Sequence, residues 1–287
     1  MLDFIVIYIY EKFLTFPDMK KVLTSRETQI MGVINLTPDS YFSYSRVQNM
    51  QDFRQRVGEM IDEGADIIDL GGMSSRPGAK IISPTEEFNR VKNYFIELRN
   101  SFPKAFISID TVHAKLAHFC LEHGANMIND ISAGTIDPEL LTVVSKYDAY
   151  YCLMHMKNRP ENMQFSPQYQ ETTLDVLKFL TQQLSKLKKL GIHNVMVDPG
   201  FGFGKSIEDN YRLLKDLSVF SILDCPILVG LSRKSMIYKP LEIEAADSLA
   251  ASSALHLTAL QNGANILRVH DVKEARQVKK LFELLNN

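Results

Sequence analysis

Cysteine is scarce in this chain, neither sign of charge is in surplus, and no apolar run is long enough to cross a bilayer. The three cysteines, Cys120, Cys152 and Cys225, are odd in number, far apart and not paired at metal-ligand spacing. That excludes a disulfide framework and a cysteine zinc site, and they read as reduced thiols of a cytoplasmic protein. Lys plus Arg total 32 against 34 Asp plus Glu, so no broad basic field exists to attract nucleic acid or an anionic membrane. The apolar stretch at residues 4–10 is too short for a membrane span and lacks the basic leader and cleavage site of a secretory signal. It is expected to belong to an N-terminal extension over residues 1–28, either a barrel-plugging strand or a linker remnant. No low-complexity tract or linker interrupts residues 28–287.

What is present is a repeat. Short apolar runs ending in a polar residue are each followed by a loop and then a helical pattern, the grammar of a strand-helix unit. The runs lie at residues 30–35, 67–69, 106–110, 127–130, 150–154, 195–198, 227–230 and 266–269. Several open alike, with Gly64-Ala65-Asp66, Gly124-Ala125-Asn126 and Gly263-Ala264-Asn265; a glycine there suits the left-handed residue that closes a helix before the chain turns into a strand. The spacers carry helix-like apolar spacing, as in Phe53, Val57, Met60 and Ile61, or Leu174, Leu177, Phe179, Leu180 and Leu184. Near-continuous apolar strands alternating with amphipathic helices argue for a parallel sheet, and eight of them select a closed (β/α)8 TIM barrel over residues 29–287. A doubly wound dinucleotide sheet is the alternative. Against it, Asn35-Leu36-Thr37-Pro38 follows the first strand where a glycine-rich turn would stand.

Sites in such barrels lie at the C-terminal ends of the strands. Standing there are Asn35, Ser75, Arg76, Asp110, Asn129, His155, Asp198, Lys234, Arg268 and His270. Several acceptors beside three permanent cations suggest a polar heterocycle bound next to an anion. Asp198 with Gly200, Gly202 and Gly204 could be a helix-capping turn. It could also recognise a ring, because a carboxylate accepts two parallel hydrogen bonds from a ring N–H and a neighbouring amino group.

At these strand ends the chain resembles dihydropteroate synthases, from about Ile30 to the C-terminus. The resemblance rests on Asn35-Leu36-Thr37-Pro38-Asp39-Ser40, Ser74-Ser75-Arg76-Pro77-Gly78-Ala79, Ile109-Asp110-Thr111 and Ile128-Asn129-Asp130. It continues through Asp198-Pro199-Gly200-Phe201-Gly202-Phe203-Gly204-Lys205, Ser232-Arg233-Lys234-Ser235 and Arg268-Val269-His270-Asp271, seven motifs in the family's order. Departures fall in Tyr41-Phe42-Ser43-Tyr44-Ser45-Arg46, where the family carries a glycine-rich stretch, and at Met73, Ser75 and Tyr238.

The resemblance implies an enzyme that joins a pterin pyrophosphate to p-aminobenzoate, with sulfonamides competing for the second substrate. It assigns the pterin to Asp110, Asn129, Met154, Asp198, Lys234 and Arg268, with Asp110, Lys234 and Arg268 acting in catalysis. Pyrophosphate falls to Asn35, Ser75, Arg268 and His270, and p-aminobenzoate to Arg76, Pro77, Phe203 and Ser235. Arg268 and His270 alternate along one strand end, so both point the same way. Asn35 offers one oxygen to a magnesium ion, adequate when pyrophosphate supplies the others. The partners implied are small molecules and a second copy of the chain.

Plainer readings stand beside these. Asp130 can hold a loop, Arg233 can be structural, and His113, His118, His123 and His256 carry no functional signal. A methyltransferase barrel that binds pterins is the nearest rival, although it would not need Arg268, His270 or the Ser-Arg-Lys-Ser turn. A non-catalytic barrel is the second rival, kept open by the altered first loop.

Overall fold

The computed structural model describes residues 27–37, 49–74, 76, 78–158, 163 and 168–286. Residues 1–26 of the N-terminal extension and the altered first loop therefore lie outside the described residues, as do Ser75 and Pro77. Eight parallel strands run in the order β6-β5-β4-β3-β2-β1-β8-β7. They are β1 (Gln29–Asn35), β2 (Ile67–Gly71), β3 (Ile107–Asp110), β4 (Met127–Asp130), β5 (Tyr150–Met154), β6 (Val195–Asp198), β7 (Leu228–Val229) and β8 (Ile266–Val269). The ends of that order meet at a parallel bridge between Val197 and Ile227, with Val197 N donating to Pro226 O at 2.9 Å, and this closes the barrel.

Helices separate the strands: α1 (Met50–Asp62), α2 (Pro84–Ser101), α3 (Ala114–Glu122), α4 (Glu139–Tyr147), α5 (Thr172–Lys189), α6 (Ile207–Lys215), a one-turn α7 (Ser235–Tyr238), α8 (Leu249–Gln261) and α9 (Val272–Asn286). Their starts are written in the sequence. Asn49 caps α1 by accepting from Gln51 N and Asp52 N, Ser83 precedes Pro84 at the head of α2, and Ser206 with Asp209 forms a capping box on α6. The glycines expected to close helices, Gly64, Gly124 and Gly263, all adopt positive φ, and so does Gly191 after α5.

Phe53, Val57 and Met60 bury the expected face of α1. On α5 the buried stripe is Thr173, Val176, Leu180 and Leu187, with the expected Leu177, Phe179 and Leu184 packed at its margin, while Leu174 is 59% exposed. β2 runs two residues beyond its expected end, to Gly71, and β7 is shorter than expected. Among the described residues no helix is long and apolar enough to cross a membrane.

Candidate active site

Alternate residues of each strand point into the barrel. The deepest interior layer is apolar, one residue per strand: Met31, Ile67, Phe106, Met127, Cys152, Met196, Leu228 and Ile266. Two positions further toward the C-terminal ends the same faces carry Asp69, Ser108, Asn129, Met154, Asp198 and Arg268. The interior thus changes from oily floor to polar chamber in one step. On β2 and just past β7 the inward positions at the mouth are Gly71 and Gly230. A Cβ on Gly71 would stand 3.2 Å from Asp110, and one on Gly230 would stand 3.8 Å from Lys234 Nζ, so their absence leaves room between the charged groups.

Arg268 organises the chamber. Its Nε donates to Asp69 Oδ2 at 2.7 Å and its Nη2 to Asp110 Oδ2 at 2.8 Å. Asp69 is fully buried and also accepts from Ser108 Oγ at 2.6 Å and Asn129 Nδ2 at 3.1 Å. Two carboxylates share one guanidinium, leaving one negative charge over. Burial accordingly pushes Asp110 up to about 7, with Asp69 adding to the effect and Arg268 opposing it. Burial works against the charged form of Arg268, but its two carboxylates outweigh that and raise its pKa above the usual value, so it remains a cation.

Asp198 takes the Gly200 N–H on Oδ1 at 2.7 Å. Burial raises its pKa, while the nearby Lys234 ammonium pulls it down. Lys234 itself is lowered to about 8 by burial, with Asp198 resisting. Its Nζ donates to Phe201 O and lies 4.6 Å from the centre of the Phe203 ring. His270 Nδ1 lies 3.1 Å from Ser232 Oγ, and burial together with Arg268 lowers its pKa to about 4. Arg233 is structural, as its plain reading held: it grips Asp271 with two hydrogen bonds of 2.8 Å and tethers the Ala245 and Ala246 carbonyls. Its left-handed backbone, φ 56°, turns Lys234 toward the barrel.

The structure thus brings Asp110, Asn129, Met154, Asp198, Phe203, Lys234, Arg268 and His270 to one mouth. Met154 packs with Met73, Val112, Ile131 and Phe203 as an apolar wall. Ser235 opens α7 beside Lys234, and Asn35 ends β1 with its side-chain oxygen accepting from Thr37 N at 3.2 Å. Arg76 is exposed on the second loop. Asp130 faces away and holds a loop, accepting from Ser132 N, Gly134 N and Tyr151 OH. His155 also turns away, toward Lys205 and the Phe179 ring. His113 bonds the Ile82 carbonyl and His118 meets Tyr147 OH, so neither enters the site.

The profile of the pterin binding enzyme family matches residues 31–270. A dihydropteroate synthase of Haemophilus influenzae is 39% identical over 269 residues, covering 93% of this chain and 97% of that protein. The chain belongs to the dihydropteroate synthase family. Among solved structures, the Yersinia pestis dihydropteroate synthase with a sulfonamide drug complex superposes with a TM-score of 0.87 at 37% identity, covering 91% of this chain and 94% of that one. The Xanthomonas albilineans dihydropteroate synthase with 4-aminobenzoic acid gives 0.82 at 33% identity, covering 91% and 93%.

Two members of this synthase-family site escaped the reading of strand ends. Ser108 lies one interior position below the rim, so a search limited to the last residue of each run passes over it; Asp69 does end its run, 67–69, but the loop residues Ser75 and Arg76 stand for that strand in the strand-end set instead. The available signal was an aspartate inside an otherwise apolar strand, Ile67-Ile68-Asp69-Leu70. Such a group is kept only where a partner awaits it.

Proposed function

We propose that this chain condenses 6-hydroxymethyl-7,8-dihydropterin pyrophosphate with p-aminobenzoate, giving 7,8-dihydropteroate and pyrophosphate. The observation that carries the reading is a buried chamber in which each ring acceptor has a cation beside it: Arg268 Nη2 bonds Asp110 at 2.8 Å, and the Lys234 ammonium lies close enough to Asp198 to lower its pKa. Asp198 accepts from the pterin ring N–H and its 2-amino group, Asn129 completes the in-plane bonds, and Met154 packs on the ring face. Arg268 and His270, with Asn35 and Ser75, hold the pyrophosphate. Arg76, Pro77, Phe203 and Ser235 frame p-aminobenzoate, whose carboxylate suits the start of α7.

In the reaction the bond between the pterin methylene carbon and the pyrophosphate oxygen breaks, and the electron pair leaves with pyrophosphate. The arylamine nitrogen then bonds to that carbon and gives up a proton. Arg268 offsets charge growing on the leaving group, and Asp110 stabilises the cationic pterin fragment. No side chain needs to act as a nucleophile. Holding both substrates in line can contribute roughly 7–11 kcal/mol.

The residues fit a magnesium ion that arrives with the pyrophosphate. Among the described residues no group of three acidic, histidine or cysteine side chains forms a metal cage, and Asn35 offers a single amide oxygen at the rim, so substrate oxygens would complete the shell. Such an ion would neutralise pyrophosphate charge. A cytoplasmic homodimer is the proposed working form; the unpaired state of all three cysteines supports the reducing compartment. The test is product formation: the purified chain given both substrates and magnesium should make dihydropteroate, and chelation should slow it. No product under any of these conditions contradicts the reading.

A further inference from the structure

Lys205 lies behind the chamber and is 3% exposed, an unusual place for an ammonium. Its Nζ meets His155 Nδ1 at 3.0 Å, Gly200 O at 2.8 Å and Phe203 O at 3.2 Å. An ammonium has three N–H donors, and here these three acceptors and the more distant His155 carbonyl at 3.5 Å, from two loops, surround it, much as oxygens surround a bound monovalent cation. The His155 ring then accepts at Nδ1 and stays neutral, with burial and the Lys205 charge pushing its pKa down to about 2; burial also lowers Lys205 itself to about 7, with Asp198 opposing, and the cage of acceptors is what holds the protonated form there.

The two loops are pressed together at this point. A Cβ on Gly200, φ 75°, would overlap the His155 carbonyl, and Tyr169 OH donates to Gly204 O at 2.8 Å. Without a cation, the Phe203 carbonyl and the imidazole nitrogen would lose this partner, and the Gly200 carbonyl would keep only the Phe203 N–H at 3.1 Å. The segment so fixed begins at Asp198, whose carboxylate holds Gly200 N, and carries Phe203, whose ring lies under Lys234.

We propose that Lys205 is a positioning residue: its caged ammonium locks the loop of residues 199–204 onto the end of β5, presetting Asp198 for the pterin and Phe203 for p-aminobenzoate. The inference rests on the synthase reading above. It separates from a merely structural role because a misfolded fraction lowers kcat alone, whereas a loosened loop raises both KM values.

Wild-type turnover is measured first, then Lys205→Met, which keeps length and loses the charge, alongside thermal unfolding and calorimetry with a bare pterin. The expected result is a cooperatively folded variant with pterin affinity and p-aminobenzoate KM each worsened by at least about tenfold, and kcat changed less. Should Lys205→Met fail to fold, Lys205→Gln, which keeps two N–H donors, should show a smaller loss of the same kind. An active wild type whose folded variants keep both affinities, or lose only kcat, overturns the inference, and so does failure of both variants to fold. An inactive wild type overturns the reaction itself and takes this inference with it.

Discussion

At Asp198 the Gly200 N–H takes one lone pair of Oδ1, leaving the second lone pair of Oδ1 and the whole of Oδ2 for the two parallel donors of a ligand. Asp198→Asn keeps the first bond, since an amide oxygen still accepts, but turns the second position into a donor facing the pterin's own donors. Leaving such a pair unmatched costs roughly 1–3 kcal/mol, so pterin affinity should fall at least about tenfold while thermal unfolding moves little. Calorimetry on the folded variant reads this, and retained affinity would make Asp198 a loop residue only. Arg268→Ala removes the cation from between Asp69 and Asp110. It should weaken pterin pyrophosphate far more than bare pterin, and destabilise the fold by about 3–5 kcal/mol because two buried carboxylates lose their partner. Asp110 already has a raised pKa, and without Arg268 it rises further. The stability that a raised carboxyl contributes is present at acid pH and lost as pH rises through the folded value, so the variant should be relatively firmer at pH 5 than at pH 8. Equal loss of both ligands would assign Arg268 to the ring or the fold.

Among the elements, α2 bears on the site through a residue that no strand-end reading could reach. Glu87 heads the buried stripe continued by Val91, Phe95 and Leu98, and its Oε2 accepts from Thr111 Oγ1 at 2.6 Å, next to Asp110. Oε1 has no hydrogen-bond partner among the described residues. Burial raises the carboxyl from 4.5 to about 8. A folded pKa above the unfolded one means that stability is full below pH 4.5 and is lost as pH rises through about 8. Glu87→Gln should remove much of that slope, a difference on the order of a few kcal/mol between pH 5 and pH 8.5 by urea unfolding; parallel pH profiles would contradict it. Glu87 stands in an apolar stripe at helical spacing, and that was its only mark in the sequence. The strands were easier to read, because a fully buried parallel strand is a continuous apolar run and its polar terminator marks the mouth, as at Asp110 and Asp198. Asp69 was passed over although it ends its run: the strand continues to Gly71, and the polar residues of the loop beyond it drew the reading past the aspartate. The loop-to-loop contacts of Lys205 and Arg233 were illegible because they join residues distant in sequence, 50 positions apart for Lys205 and His155 and 38 for Arg233 and Asp271.

For the whole molecule, eight strand-helix repeats made the barrel legible, since only closure pairs the two outer strands of an eight-stranded parallel sheet. The chain is nearly neutral overall, with a formal net charge of −2, so affinity for an anionic ester must come from local cations, Arg268 and Lys234, gathered at one end of the barrel. That placement makes the leaving group and the arylamine meet across a single carbon, and the account stands on their coupling. The direct measurement is to follow both products at once from pterin pyrophosphate, with and without p-aminobenzoate. The expected result is pyrophosphate and dihydropteroate appearing in equal amounts, both dependent on p-aminobenzoate. Pyrophosphate released at the same rate without p-aminobenzoate, or no dihydropteroate with it, would contradict the account.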